Sequence, residues 1–145
     1  MKDRDEPKRC VFCDLIREDS ATWVAVESDA VAFKPLPEDT LAPGHTLVIP
    51  REHREGLFGP NDLELALVLS LVRRVAEAMR HQLGSSGTVL LQASGPDSGG
   101  SVAHLHFHVV PCWPDDEATF WPDGRSAHAI EGDPYAAMRH ALSLP

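Results

Sequence analysis

Apolar residues along this chain fall into short runs broken by prolines, glycines and charged residues, with one longer stretch of a different period. Thr22 to Glu27 and Ala30 to Lys34 read as two short strands, with Ser28 and Asp29 between them as a two-residue turn. Pro35 and Pro37 end the second strand, and a proline-marked loop leads on to Gly44. His45 to Ile49 (HTLVI) is apolar and rich in β-branched residues, and Pro50 closes it. Beyond it the period changes. Leu65, Val68, Leu69, Leu71, Val72, Val75, Ala76 and Met79 recur at spacings of three and four, with Arg73, Arg74, Glu77 and Arg80 largely between them. This predicts an amphipathic helix of about five to six turns, capped by Asn61 or Asp62 and ended by Gly84.

Strand character returns at Thr88 to Gln92, followed by a Gly- and Ser-rich loop from Ser94 to Ser101. His104 to Val110 (HLHFHVV) alternates strictly over seven residues, which predicts a strand that Pro111 ends. Trp113, Pro114, Trp121 and Pro122 mark a loop, and Pro134 opens a short helix through Ala141. Strands, one long helix and then more strands predict an α+β domain with a mostly antiparallel sheet.

With 145 residues there is room for one domain, placed at residues 10–145. Residues 1–9 are charged, offer nothing to bury and are predicted to form a flexible arm without the apolar core of a signal peptide. The longest apolar runs fall far short of a membrane span. A net charge of −9 with scattered Arg and Lys argues against tracking a nucleic-acid polymer, yet leaves room for a small phosphate ligand in a local pocket. Three cysteines, Cys10, Cys13 and the solitary Cys112, do not make a disulfide framework and suit a reducing, cytoplasmic setting.

The candidate chemistry lies in the alternating strand. His104, His106 and His108 stand at i, i+2 and i+4, so their imidazoles share one face, while Leu105, Phe107 and Val109 share the other. Three titratable rings on one face are costly unless hydrated, paired or ligated. Two chemistries suit them: metal binding through ring nitrogens, or one nucleophilic imidazole whose neighbours manage protons and phosphate charge. The adjacent Gly-rich loop favours the second, because free backbone N–H groups in such a loop cradle phosphate oxygens. Gly99 to Val102, with the Ser101 hydroxyl, are the candidate donors for charge developing on a phosphoryl group. Neutral imidazole is a competent nucleophile near pH 7, its unperturbed pKa being about 6.5.

The segment GGSVAHLHFHVVP resembles the signature of the histidine triad (HIT) family, PGHTLVIPREH resembles its second hallmark, and CVFCDLI resembles the N-terminal entry of many bacterial members. Together they run from Cys10 to Pro111 in the expected order. The resemblance implies a five-stranded antiparallel sheet, a homodimer, and hydrolysis or transfer at the α-phosphorus of a purine nucleoside phosphoramidate or dinucleoside polyphosphate. His106 is then the nucleophile that forms a nucleotidyl-histidine. His108, His104 and His45 complete the catalytic set, and Gly99, Ser101 and Val102 hold phosphate. The resemblance further implies a structural zinc on Cys10, Cys13, His53 and His104, and no metal at the reacting phosphorus. A non-catalytic nucleotide-binding or partner-binding module is the alternative.

Several contacts usual in the family have no counterpart here. Lys34 and Pro35 stand near the place of a ribose-binding aspartate, with Glu38 or Asp39 as the available substitutes. Gly100 stands for a loop glutamine, Gln92 to Ser94 for an upstream asparagine, and Cys112 for an arginine. Trp113 and Trp121 are candidates for stacking on a base. His81, His128 and His140 are expected at the surface.

Overall fold

The computed structural model describes residues 9–144, so the arm expected over residues 1–9 lies outside the described residues apart from Arg9. The elements in chain order are α1 (Val11–Glu18), β1 (Trp23–Val26), β2 (Ala30–Phe33), β3 (Thr46–Pro50), α2 (Asp62–Leu83), β4 (Gly87–Leu91), β5 (Phe107–Cys112) and α3 (Pro134–Ser143). The five strands form one sheet in the order β1-β2-β3-β5-β4. Every neighbouring pair in it is antiparallel. Among the described residues no helix is long and apolar enough to cross a membrane.

The sheet is covered on both faces at its centre, which is why β2 and β3 are buried at every position. One face carries Ala30, Ala32, Val48, Phe107 and Val109 against Val68, Leu71, Val72, Val75 and Met79 of α2. Each Val, Leu, Phe or Met side chain among them stabilises the fold by about 1.5–3 kcal/mol relative to exposure. The buried stripe of α2 is narrower than its sequence pattern: Leu69 is 41% exposed, while Leu65 and Ala76 pack at the margin. Asn61 caps α2 by accepting from the Glu64 N–H at 2.9 Å, and Gly84 ends it at φ +68°. Arg74 clamps α2 to the β1–β2 turn through two bonds to the Glu27 carboxylate, at 2.5 and 2.8 Å.

The other face carries Val31, Phe33, Leu47 and Ile49, packed against Phe12 and its neighbours on α1. This helix is not called for by the sequence pattern above, because eight residues are too few for periodicity to speak. Other ends shift by one or two residues, and both boundaries of β5 differ from expectation for a physical reason. The strand expected from His104 begins at Phe107, because the Leu105 N–H donates to Arg54 O (2.7 Å) and the Gly56 N–H to Ala103 O (2.9 Å), drawing this stretch toward the loop after β3. At its other end β5 runs through Pro111 to Cys112 instead of stopping. β3 pairs no further than Val109, so Pro111 faces Thr88 of β4 alone and its missing N–H is tolerated on the unpaired side.

Candidate active site and metal centre

His104, His106 and His108 share the sheet face opposite α2, as the alternation predicts, although only His108 stands within β5. Leu105, Phe107 and Val109 point the other way, into the core beneath α2. Phe12 of α1 lies edge-on to both His104 and His106, with ring centroids 5.9 and 5.3 Å away. His106 and His108 stand with centroids 5.2 Å apart.

Main-chain partners determine which nitrogen of each ring carries its proton. A carbonyl only accepts, so Nδ1–H of His106 donates to His104 O at 2.8 Å, leaving the Nε2 lone pair free. By the same logic Nε2–H of His104 donates to Pro50 O at 2.8 Å, leaving Nδ1 as its free donor atom. His45 receives the Leu41 N–H on Nδ1 at 3.1 Å, and its Nε2 lies 3.0 Å from Nδ1 of His108.

Burial holds His45, His104 and His108 below the ordinary imidazole range. His108 is pushed down to about 4 by burial first and then by His106 and His45, with Asp39 opposing. These rings are therefore neutral at pH 7.

His106 and His108 open into a cavity of about 690 Å³, the size range of small-ligand sites. Val11, Phe12, Leu15, Phe33, Leu36 and Leu47 give it apolar walls, while Lys34, Asp39 and Ser101 supply polar groups. A second hollow of about 320 Å³ runs beside Gly99, Gly100 and Ser101 and touches the same two histidines. The structure thus brings His106, His108, Ser101 and Val102 together, with Gly99 in the adjoining hollow and His45 behind His108. Of the substitutes for a ribose carboxylate, Asp39 borders the cavity and Glu38 does not. Trp113 and Trp121 do not border it either: the Trp113 indole donates to Leu83 O at 3.1 Å, and Trp121 is 81% exposed. The α1 walls and the Leu41 N–H were missed from sequence: α1 is too short for periodicity to speak, and a main-chain donor leaves no signal in residue type.

His104 turns its free nitrogen away from the cavity. Cys10, Cys13, His53 and His104 place one ligand atom each within 4.8 Å of one another, a set able to hold a metal ion. Nδ1 of His104 lies 3.4 Å from Cys10 Sγ and 3.5 Å from Cys13 Sγ, and Nδ1 of His53 lies 3.5 Å from Cys13 Sγ. A tetrahedral ion with bonds of about 2.3 Å to sulfur and 2.0–2.1 Å to nitrogen sets its S···N edges at about 3.5 Å, so the donors fit. Without a cation, burial and the neighbouring Cys10 push the Cys13 thiol up to about 11, so two thiolates this close require positive charge between them. The Pro50 carbonyl orients His104 as a second-layer partner to a metal ligand would. His81, His128 and His140 are exposed and join none of this, and Cys112 is half-buried on its own.

Residues 17–114 match the family model described as HIT domain. An uncharacterized HIT-like protein of Borreliella burgdorferi is 36% identical over 111 residues, covering 74% of this chain and 78% of that one. Adenosine 5′-monophosphoramidase of Schizosaccharomyces pombe is 31% identical over 102 residues, covering 70% and 73%. An adenylylsulfatase of Arabidopsis thaliana is 28% identical, covering 94% and 71%. Among solved structures, a zinc-bound histidine triad family protein from Mycobacterium smegmatis superposes with a TM-score of 0.71 at 28% identity, covering 80% of this chain and 84% of that one.

Proposed function

The chain belongs to the HIT domain family, and on that premise we propose that it is a nucleotide hydrolase or transferase that cleaves at an α-phosphorus through a covalent intermediate on His106. The observation that carries this reading is the environment of His106. Its Nδ1–H is tied to the His104 carbonyl, and its Nε2 lone pair stands in a cavity beside His108 and Ser101. Two named relatives, a phosphoramidase and an adenylylsulfatase, support the reaction class without separating substrates.

In this reading Nε2 of His106 forms a bond to phosphorus as the bond to the leaving group breaks. The leaving group keeps the electron pair and takes up a proton from water. The imidazole now carries positive charge, which its Nδ1–H shares with the His104 carbonyl. Water then attacks phosphorus and releases a proton to solvent, which balances the one taken up by the leaving group, while the P–N bond breaks and its electron pair returns to Nε2 of His106. His108, neutral at pH 7, offers an N–H to the phosphoryl oxygens and does not act as a strong acid. Ser101, Val102 and Gly99 offer hydroxyl and backbone donors on the other side of the cavity. The apolar wall of Phe12, Leu15, Phe33 and Leu47 suits a purine base.

Zinc is the proposed occupant of the Cys10, Cys13, His53 and His104 set. Four protein ligands close its shell, so its contribution there is structural: it anchors α1, and with it Phe12 and Leu15, over the cavity. The free thiols accord with a cytoplasmic location, and the reading extends to residues 10–145 as one domain that pairs as a homodimer, as the family resemblance implies.

The test compares wild type with His106→Ala on adenosine 5′-phosphoramidate and diadenosine tetraphosphate, following AMP release with chelator controls. AMP from wild type alone is the expected result, and the faster substrate names the class. Nucleotide binding without AMP release from either compound would instead mark a binding module. Sedimentation of the same sample reads the dimer.

A further inference from the structure

The loop between β2 and β3 does more than wall the cavity. Leu36, Asp39 and Leu41 border the space in front of His106 and His108. The same loop sends one main-chain donor inward, the Leu41 N–H, to Nδ1 of His45 at 3.1 Å. His45 is 2% exposed, so no water competes for that nitrogen. The loop is braced on both sides of this donor. The Asp39 N–H donates to Leu36 O (3.0 Å), the Thr40 N–H to Pro37 O (3.3 Å), and the His45 N–H to Ala42 O (3.0 Å). The Thr40 hydroxyl adds a bond to Leu36 O at 2.9 Å.

A main-chain N–H can only donate, so Nδ1 of His45 must accept and the proton of the neutral ring must sit on Nε2. That Nε2–H points at Nδ1 of His108, 3.0 Å away. Nδ1 of His108 must then accept, which places the His108 proton on Nε2, the nitrogen left for the cavity that His108 borders. The opposite arrangement, with Nδ1–H on His45, would set two donors against each other at 3.1 Å.

We propose that the main-chain N–H of Leu41 is a positioning group: it fixes the proton on Nε2 of His45 and, through His45, on Nε2 of His108, so that His108 meets a phosphoryl oxygen as a donor. This rests on the nucleotide-hydrolase reading for its consequence, but not for the placement of the protons.

Leu41→Pro deletes that N–H. Thr40, at φ −76° and ψ 118°, already has the extended backbone that a residue before proline requires. Leu41→Ala loses the side chain and keeps the N–H, so the pair isolates the donor. In full-length, metal-replete protein labelled with nitrogen-15 at histidine, long-range proton–nitrogen spectra read each ring's tautomer. The expected wild-type result is Nε2–H on both His45 and His108, retained in Leu41→Ala and mixed or reversed in Leu41→Pro. AMP release in Leu41→Pro should show kcat lower by about tenfold or more than in Leu41→Ala, with KM little changed, because a donor is lost where charge develops. Should Leu41→Pro not fold, His45→Gln and His45→Leu decide: glutamine keeps a donor toward His108 and should preserve its Nε2–H and part of kcat, whereas leucine should not. An Nδ1–H on either ring in wild type, unchanged tautomers in Leu41→Pro, or equal losses in Gln and Leu would overturn the proposal. The spectra decide this with or without turnover, so failure of the hydrolase reading is a separate result.

Discussion

Removing a metal from the Cys10, Cys13, His53 and His104 set should cost this protein more stability than any single surface change. The ion would tie together points 40 residues apart (Cys13 to His53) and 94 residues apart (Cys10 to His104). By the chain-entropy relation for cross-links, closing loops of these lengths removes about 4 and about 4.7 kcal/mol of freedom from the unfolded chain at 25 °C. The shorter loop lies inside the longer one, so the longer closure alone sets an expected minimum of about 4–5 kcal/mol. For a domain of this size that corresponds to roughly 8–20 °C in Tm. The assay is thermal unfolding by circular dichroism at pH 7.5, with and without excess chelator, alongside Cys13→Ser and a count of zinc per chain. Cys13 is the informative position because its Sγ faces Nδ1 of both histidines at 3.5 Å. The loss should appear equally in the chelated protein and in the variant. If the purified protein neither carries nor takes up zinc, and chelator leaves Tm where it was, the four side chains are not a metal site and the α1 anchor fails with it.

Three further outcomes follow from the core, the long helix and the buried imidazoles. Leu105→Ala, at a site 1% exposed beneath α2, should lower unfolding free energy by about 2–5 kcal/mol in urea titration. Asn61→Ala removes the cap that receives the Glu64 N–H and should cost about 1 kcal/mol by the same titration, leaving AMP release unchanged. Acidification should destabilise the fold in a defined window. Below about 6.5 the unfolded chain takes protons that His108 refuses until about 4 and that His45 also resists, so stability is complete above the ordinary imidazole pKa and is lost as pH falls toward 4. A urea midpoint that held constant or rose across that window would contradict the burial of neutral rings.

Local pattern carried much of the fold. Short apolar runs bounded by prolines and turn residues located the first four strands, strict alternation located the last, the spacing of Leu71, Val72, Val75 and Met79 located α2, and Asn61 and Gly84 marked its ends, because caps and hydrophobic stripes act within a few residues. Alternation likewise placed His104, His106 and His108 on one face, since side-chain direction along extended backbone is a local property. The metal set, by contrast, was named from resemblance and not from the chain's own pattern. Cys10 and His104 meet only because α1 docks on the sheet face beside Phe33 and Leu47.

Tertiary structure alone decided the rest. It turned His104 from the cavity toward the thiols, because the Pro50 carbonyl takes its other nitrogen. It carried β5 past Pro111, because β3 had already ended. It moved Trp113 to the end of α2 and left the cavity walls to α1 and the Leu36–Leu41 loop. It also assigned the imidazole protons, because a ring's tautomer depends on which donor or acceptor faces it. For His106 that partner is two residues away, but for His108 it is His45, at a separation of 63 residues. Residue types and periods determined which groups share a face; only packing between distant segments determined which nitrogen of His104 and of His108 is left free.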